Sequence, residues 1–450
     1  MTLQRHVLIV SPNFPPINAP DHQRVRMSLP HLAEFGWRAT VLAVAPEHVE
    51  GLQDPLLLET VPKSTRVVRT RALSANRSGR LGVGNLALRA FPFLKREGDR
   101  LLSTEQFDLV FFSTTAFPVM ALGRRWLKRW GVPYVLDFQD PWLSDYFKGR
   151  TETPPGGHFK YGLSQKLARL LEPYTVKKAS HIITVSPAYR DSLLQRYPWL
   201  SSDRFTVLPF GAAENDFAVL RSFDLKQNVF DPQDGKRHWV YVGAGGTAMT
   251  FSIRSFFQAL GRVRRNGGGR ELENLMIHFI GTDYAAGDRA RETFRPIAEE
   301  CGVADIVEEM PNRIPYFDAL KCLKDAEALI VPGSDDPGYT ASKICVYAMA
   351  NKPMLAIFHE DSGVAEMLRA TNAGTLVTFK DSSELERMTG EIETKWFKSV
   401  REPPTINETA LKPYLAKEMT RKLCAVFDVA APIQRVTTVS QRSAEKSTHL

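Results

Sequence analysis

The sequence contains little cysteine and no long hydrophobic run. Its 450 residues include four cysteines, which stand far apart and form neither a Cys-x-x-Cys pair nor a Cys/His cluster. A disulfide framework or a structural zinc site is therefore not expected. No stretch approaches the roughly 20 apolar residues that cross a bilayer, and the first residues lack the apolar region and cleavage site of a signal peptide. We expect a soluble protein of the cytoplasm.

A strong charge of one sign is also absent. Lysine and arginine number 58 against 50 acidic residues, which gives a formal net charge of +8. This excess permits anionic partners such as nucleotides or acidic lipid, although an ordinary solvated basic surface is an equally good interpretation. Nucleic acid is not expected as a partner, because the basic residues are dispersed and no known nucleic-acid module is visible.

Short β-type runs alternate with helical patterns along almost the whole chain. This alternation predicts an α/β fold with parallel sheets covered by helices on both faces. The pattern restarts at His238, after a stretch rich in Asp, Asn and Gln, so we expect two doubly wound, Rossmann-like domains facing across a cleft. The predicted divisions are a first domain over 1–213, a linker over 214–236, a second domain over 237–402, a helical segment over 403–428 and a flexible tail over 429–450.

In the second half, the predicted strand "EALIVPG" leads into "SDDPGYTASK". Ligands of open α/β sheets bind beyond the carboxyl ends of the strands. Thr340 and Ser342 are small enough to let the backbone approach an anion, and Lys343 adds a positive charge where a helix begins. These features predict a diphosphate cradle. The alternative is a simple helix start capped by Ser342.

A second glycine-rich turn follows the predicted strand "HWVYV". Gly245 and Gly246 would let the backbone wrap closely around a sugar or phosphate, and Arg254 lies early in the helix that follows. The spacing differs from the G-x-G-x-x-G pattern of dinucleotide sites, so the motif alone is weak. Glycines that only make a tight turn are the alternative.

In the first half, polar residues stand where predicted strands end. The loop with Asn18 precedes Arg24, whose cation at a helix start favours a nearby anion; pairing with Asp21 is the alternative. The predicted strand "YVLDF" contains Asp137, and Asp140 and Trp142 follow the strand. Two carboxylates beside an aromatic ring suit a general base or the binding of sugar hydroxyls. Alternatively, Asp140 caps the next helix and Asp137 packs structurally.

The segment "RSGRLGVGNLALRAFPFLKREGDR", from Arg77 to Arg100, interleaves basic and apolar residues. A basic amphipathic segment of this kind can lie on an anionic membrane surface. A helix that packs its apolar side on the sheet has the same pattern and is the alternative.

Several motifs appear in an order that resembles the GT-B glycosyltransferases of the family-4 type. They are "HVLIVSPNFPP", "VPYVLDFQDPW", "ASHIITVSPAYRDSL", "FTVLPFGAAENDF", "YVGAGG" and "SKICVYAMANKPMLAIF". "LDFQDPW" is similar to a variant in bacterial enzymes that build surface polysaccharides. The resemblance implies transfer of a sugar, with retention of configuration, from a nucleotide-diphosphate sugar to a glycan or polyprenyl-linked acceptor, without a cofactor or metal. It assigns the donor to the second domain and the acceptor to the first.

The resemblance implies three roles for the candidate residues. Catalytic candidates are Asp137 and Asp140; donor-binding candidates are Gly245, Gly246, Arg254, Tyr339, Thr340, Ser342 and Lys343; acceptor-binding candidates are Asn18, Arg24 and Trp142. The chain departs from the family where Glu-x7-Glu is usual, because Gly338 and Val346 replace both carboxylates. A catalytically inactive nucleotide- or partner-binding protein is therefore the main alternative, and a nucleotide-sugar epimerase is a further one.

Overall fold

The structure is a computed structural model that describes most of the chain. The described residues are 4–75, 84–143, 157–267, 272–283, 287–336, 338, 343–398 and 402–432. Within them, no helix is long and apolar enough to cross a membrane.

The strands form two parallel sheets. They are β1 (Arg5–Val10), β2 (Trp37–Val44), β3 (Arg66–Thr70), β4 (Leu109–Ser113), β5 (Tyr134–Phe138), β6 (His181–Thr184), β7 (Phe205–Val207), β8 (Arg237–Val242), β9 (Leu275–Ile280), β10 (Val307–Met310), β11 (Ala328–Pro332), β12 (Met354–His359) and β13 (Thr375–Phe379). The first sheet has the order β3-β2-β1-β4-β5-β6-β7 and the second the order β10-β9-β8-β11-β12-β13. Each order reverses beside its first strand, as in doubly wound folds, and so confirms the predicted α/β architecture.

Helices cover the sheets. The α-helices are α1 (Gln23–Ser28), α2 (Leu86–Thr104), α3 (Ala121–Trp130), α4 (Gly157–Val176), α5 (Pro187–Arg196), α6 (Glu214–Ser222), α7 (Thr250–Arg265), α8 (Arg295–Glu300), α9 (Tyr316–Asp325), α10 (Ile344–Ala350), α11 (Gly363–Thr371), α12 (Leu385–Ile392), α13 (Glu408–Leu411) and α14 (Ala416–Ala430). A π-helical turn over Glu393–Phe397 continues α12. Short 3-10 helices, such as Leu32–Phe35, fill several connections.

The strands that the sequence does not predict lie at the edges of the sheets. β3 carries Arg66 and Arg69, and β10 carries Glu308 and Glu309, so neither reads as an apolar run. An edge strand needs little apolar surface because one of its sides has no partner strand. The helix predicted over 24–36 is interrupted near Pro30, which cannot donate the backbone hydrogen bond that a continuous helix requires.

The chain returns to the first sheet at its C-terminal end. Helix α14 packs against that sheet through Phe427, whose ring centroid lies 5.3 Å from that of Trp37 and 5.0 Å from that of Phe111. The predicted linker 214–236 separates the two sheets along the sequence, and it contains α6, which buries Phe217 and Leu220. The division into domains stays a prediction, with α14 placed spatially on the first domain.

Helix α2 contains the described part of the segment predicted to contact a membrane. Its apolar residues Ala90, Leu94 and Leu101 are fully buried in the core of the first domain. Arg89 is only 2% exposed, and its guanidinium donates to the carbonyls of Leu73 and His48. The apolar side of α2 therefore faces the sheet, as the alternative interpretation has it. Arg77 and Arg80 lie outside the described residues.

Candidate functional site

A cleft of about 270 Å³ lies between the two domains, at the carboxyl ends of strands from the second sheet. Its walls come from both domains: Asn18, Pro20, Gln23, Met27, Phe210, Gly211, Val242, Gly243, Ala244, Ile280, Gly281, Arg313, Ile314, Tyr316, Ala319, Lys343 and Val346. Among these described residues, two are cationic and none is acidic. The cleft therefore offers positive charge in a largely apolar enclosure, an arrangement that favours an anionic ligand.

Lys343 directly precedes helix α10, and its side chain reaches into the cleft. Its ammonium donates a hydrogen bond of 2.8 Å to the hydroxyl of Tyr241. Burial away from water and, to a smaller extent, the nearby positive charge of Arg313 together lower the pKa of Lys343 to about 7. An anion bound beside Lys343 would oppose both effects, since an opposite charge stabilises the ammonium.

The glycine-rich turn after β8 makes room for this lysine. A Cβ atom built on Gly243 would lie 1.9 Å from Nζ of Lys343, and the φ angle of Gly243 is +153°. Gly246 has a φ angle of +120°, and a Cβ atom on Gly245 would meet Phe294 at 2.9 Å. A side chain on Gly243 would displace the lysine side chain from its present position, and the positive φ angle of Gly243 favours glycine as well, while Gly245 and Gly246 shape the turn.

Arg313 is the second cation of the cleft, and sequence reasoning missed it. It follows β10 by three residues, at the carboxyl end of a strand that the apolar pattern does not reveal. The rule that ligands bind beyond the carboxyl ends of parallel strands would have pointed to it if β10 had been recognised.

The loop that carries Arg313 is held by residues outside the second sheet. Asn18 donates from Nδ2 to the carbonyl of Ile314 at 3.1 Å. The backbone N–H of Phe317 donates to Asp54 at 2.9 Å, and the hydroxyl of Tyr316 donates to Asp216 at 2.7 Å. These contacts fix the loop to the first domain and to α6. Asn18, a predicted acceptor contact, therefore lies in the cleft and bridges the two domains.

The predicted residues Arg24 and Asp137 form a buried ion pair beneath the cleft. Both side chains are 0% exposed, and Nε of Arg24 lies 2.8 Å from Oδ2 of Asp137. The same oxygen accepts hydrogen bonds from Ser113 and Gln139. Neither member of the pair lines the cleft. This placement matches the structural alternative for Asp137 and does not favour its role as a base, because a group without access to substrate cannot take its proton.

Asp140 and Trp142 lie around a smaller pocket of about 50 Å³ in the first domain. Trp142 is buried and stacks on Phe117, with ring centroids 5.5 Å apart. Asp140 is exposed on one side, yet the protein around it removes enough water to raise the pKa of its carboxyl to about 6, and the charge of Asp21 contributes in the same direction. Of the two predicted carboxylates, Asp140 therefore has the access and the pKa that acid–base chemistry requires.

The remaining donor candidates fall elsewhere. Arg254 is on helix α7, where its guanidinium forms an ion pair of 2.7 Å with Glu300, and it is not among the residues that line the cleft. This placement does not favour a donor contact for Arg254. Tyr339, Thr340 and Ser342 lie outside the described residues. Val346 lines the cleft from α10, so an apolar side chain stands where the resemblance predicts the second carboxylate of Glu-x7-Glu.

No cluster of three or more His, Cys, Asp or Glu side chains suited to a metal ion is found within the described ranges. Among the described lining residues, the cationic side chains that a ligand of the cleft would meet are those of Lys343 and Arg313.

Comparison with known proteins places these features in a class. Residues 22–211 match the family model of the glycosyl transferase 4-like domain. Sucrose-phosphate synthase from Thermosynechococcus elongatus aligns at 12% identity with a TM-score of 0.58, over 94% of this chain and 98% of that one. HepE of Anabaena in complex with UDP aligns at 13% identity and 0.55, over 94% and 99%. No curated protein sequence matches the chain.

A third solved structure has the same architecture. An UDP-forming α,α-trehalose-phosphate synthase from Burkholderia xenovorans aligns at 14% identity with a TM-score of 0.55, over 95% of this chain and 100% of that one. The fold is therefore that of the two-domain GT-B glycosyltransferases. The family match covers residues 22–211, so the sequence of the first half of the chain is similar to the glycosyl transferase 4-like domain.

Proposed function

We propose that this protein is a glycosyltransferase that moves a sugar from a nucleoside-diphosphate sugar, with UDP as the first candidate nucleotide, to a glycan or polyprenyl-linked acceptor of a surface polysaccharide. The observation that carries the proposal is the cleft with Lys343 and Arg313 at the carboxyl ends of the second sheet. The solved structures of HepE contain UDP in a protein of the same fold, which supports a uridine nucleotide here.

The chemistry assigned to the cleft is stabilisation of the leaving group. When the bond between the sugar and the diphosphate breaks, negative charge grows on the phosphate oxygens. Cations that already face that position lower the barrier, since they need no reorganisation during the reaction. Lys343 and Arg313 supply this charge in the proposal, and no step requires a metal ion. Retention of configuration at the sugar follows the family resemblance.

Asp140 is the proposed general base of the first domain. Its raised pKa, about 6, means that it is ionised at neutral pH and still takes up a proton readily. A base of this kind would accept the proton of the acceptor hydroxyl as that oxygen attacks the sugar from the same face that the diphosphate leaves, which retains the configuration. Trp142, which is next but one in the chain, would lie beside the acceptor. The first domain thus holds the acceptor and the second the donor in this proposal.

A catalytically inactive nucleotide- or partner-binding protein is the second candidate. The buried pairing of Asp137 with Arg24 and the apolar side chain of Val346 in the cleft favour it. Such a protein would keep the cationic cleft and bind a nucleotide without breaking the sugar–phosphate bond.

Calorimetric titration with UDP, GDP and dTDP separates these candidates when it is followed by hydrolysis assays with the matching nucleotide-sugars. We expect at least one nucleotide to bind and its sugar conjugate to be cleaved or transferred. Binding without any turnover, on a panel of glycan and polyprenyl-phosphate acceptors, would establish the second candidate. Failure of every nucleotide to bind would contradict both.

A further inference from the structure

Helix α4 of the first domain presents an apolar stripe to solvent. Phe159 is 85% exposed, Leu163 54%, Leu170 73% and Tyr174 42%. These positions are separated by 4, 7 and 4 residues, which places them within about 60° of one another around a helix that turns by about 100° per residue. Burial of such side chains is normally favourable by about 1.5–3 kcal/mol each, so a row of exposed ones marks an interaction surface.

The charges around this stripe have one sign. Five basic residues on the helix and directly after it are exposed: Lys160, Lys166, Arg169, Lys177 and Lys178. None of these five forms an ion pair with another described residue. The acidic residue of the helix, Glu172, is 0% exposed and is bound by Arg196 and by the hydroxyl of Tyr197. The exposed side of α4 is therefore apolar along its middle and purely basic around it.

The C-terminal end of α4 is held in place by contacts within the protein. Arg124 of α3 lies over the ring of Tyr174 at 4.3 Å and donates a hydrogen bond to the carbonyl of the same residue. On the inner side, Ala168 and Val176 are buried in the core of the first domain. Helix α4 is thus held to the domain by its inner side. The exposed residues of the stripe do not contribute to that packing.

We propose that α4 lies on an anionic membrane surface, with Phe159, Leu163 and Leu170 inserted at the level of the lipid headgroups. Apolar side chains at that depth and lysines that reach the phosphates are the combination by which interfacial helices bind. The flexible stems of Lys160 and Lys166 let their ammonium groups stay at the surface while the apolar stripe is buried. A protein partner of low charge would not match the basic rim.

The inference rests on the proposed function in one respect, because a polyprenyl-linked acceptor would be found at such a surface. It also assigns the contact to a helix other than the predicted segment Arg77–Arg100. Helix α2, which carries the described part of that segment, has its apolar side buried in the core, whereas α4 has an apolar side left exposed. The full-length chain therefore offers a matched pair of basic helices for a test.

Co-sedimentation of the full-length protein with vesicles of phosphatidylglycerol and phosphatidylcholine provides that test. We expect binding at low salt that declines as salt rises, since the attraction is screened over a Debye length of about 10 Å at 0.1 M. Phe159→Ser/Leu163→Ser/Leu170→Ser should weaken binding by about tenfold or more, and Lys160→Glu/Lys166→Glu/Arg169→Glu should do the same. Lys95→Glu/Arg96→Glu on α2 is the matched control and should bind like the wild type.

The outcomes that overturn the proposal are distinct. Wild-type protein that ignores anionic vesicles at low salt, or a serine variant that still sediments fully, removes α4 as a membrane contact. A wild type that is dimeric by light scattering, with a monomeric serine variant, assigns the stripe to an interface between two copies instead. UDP titration of each variant is the control for the proposed function. Because the stripe does not line the cleft, nucleotide affinity should not change in these variants. Failure of the membrane contact can therefore be told apart from failure of nucleotide binding.

Discussion

The buried cations of the first domain and the cations of the cleft differ in the charges that surround them. In the first domain, Arg24 is neutralised by Asp137, and Arg26 by Asp216 of helix α6 in the predicted linker, with all four side chains buried. In the cleft between the domains, the positive charge of Arg313 lowers the pKa of Lys343, and no acidic side chain is found among the described lining residues. Paired charges hold a fold together, whereas two cations that line one cleft favour the binding of an anion. The contrast indicates which residues serve stability and which serve binding.

The largest expected effect is on stability, at the buried pair. Replacing Asp137 by alanine leaves the cation of Arg24 buried without its partner, which should lower the free energy of unfolding by about 3–5 kcal/mol. Urea unfolding followed by tryptophan fluorescence measures this. Asp140→Ala is the control and should not lower the midpoint, because the raised pKa of Asp140 means that the folded protein disfavours its charge at neutral pH. Equal urea midpoints for Asp137→Ala and the wild type would contradict the proposed difference between the buried ion pair and the cleft.

A smaller effect is expected on nucleotide affinity, at the cleft lined by Lys343 and Arg313. Lys343→Ala removes a charge-assisted contact to the diphosphate, worth about 1.5–3 kcal/mol, so the Kd for UDP should rise by roughly 10- to 150-fold. Calorimetry gives the value. Lys352→Ala, just beyond the other end of α10, is the matched control and should bind UDP like the wild type, since Lys352 is not a cleft residue. An unchanged Kd in Lys343→Ala would show that the diphosphate lies elsewhere.

The third effect concerns turnover. Asp140→Asn keeps the shape of the side chain and removes its charge, and it should lower the transfer rate by at least about tenfold. Because the pKa of Asp140 is raised to about 6, the wild-type rate should increase as pH rises through that value and the base becomes ionised. The variant should lose this acidic limb. A limb that persists in Asp140→Asn would mean that another group is the base.

The last effect is a gain of stability from removing the lysine of the cleft. The folded protein lowers the pKa of Lys343 to about 7, against an ordinary value near 10.5 for a lysine of the unfolded chain. Between these values the unfolded chain binds more protons, so Lys343 lowers stability increasingly as pH falls towards 7. Lys343→Met should therefore raise Tm at pH 6 and raise it by less at pH 10. A lower Tm at pH 6 would mean that the lysine stabilises the fold.

The sequence predicts the fold better than it predicts the site, for physical reasons. Apolar runs such as "HVLIV" identify central strands because burial on both faces leaves a local pattern, whereas the polar edge strand β10 leaves none and Arg313 is missed with it. Lys343 is found because small residues and a helix start surround it in the sequence. The partner of Arg24 is not found, because 113 residues separate it from Asp137 and nothing near either residue reveals the contact.

The shape of the cleft is also invisible in the sequence. Gly243 reads as one glycine in a turn, and only the structure shows that the side chain of Lys343 passes where a Cβ atom would be. The same holds for the loop with Arg313, since its contacts with Asn18, Asp54 and Asp216 join segments that are remote along the chain.

Proton uptake on binding UDP tests the central claim, that the cations lining the cleft bind a diphosphate. At pH 8 Lys343 is mostly neutral in the free protein, since its pKa is about 7, and an adjacent diphosphate would restore its charge. Calorimetry at pH 8 in buffers of different ionisation enthalpy should therefore show uptake approaching about one proton per UDP bound. Lys343→Met should show markedly less. Binding of UDP without proton uptake, or with the same uptake in the variant, would contradict the account.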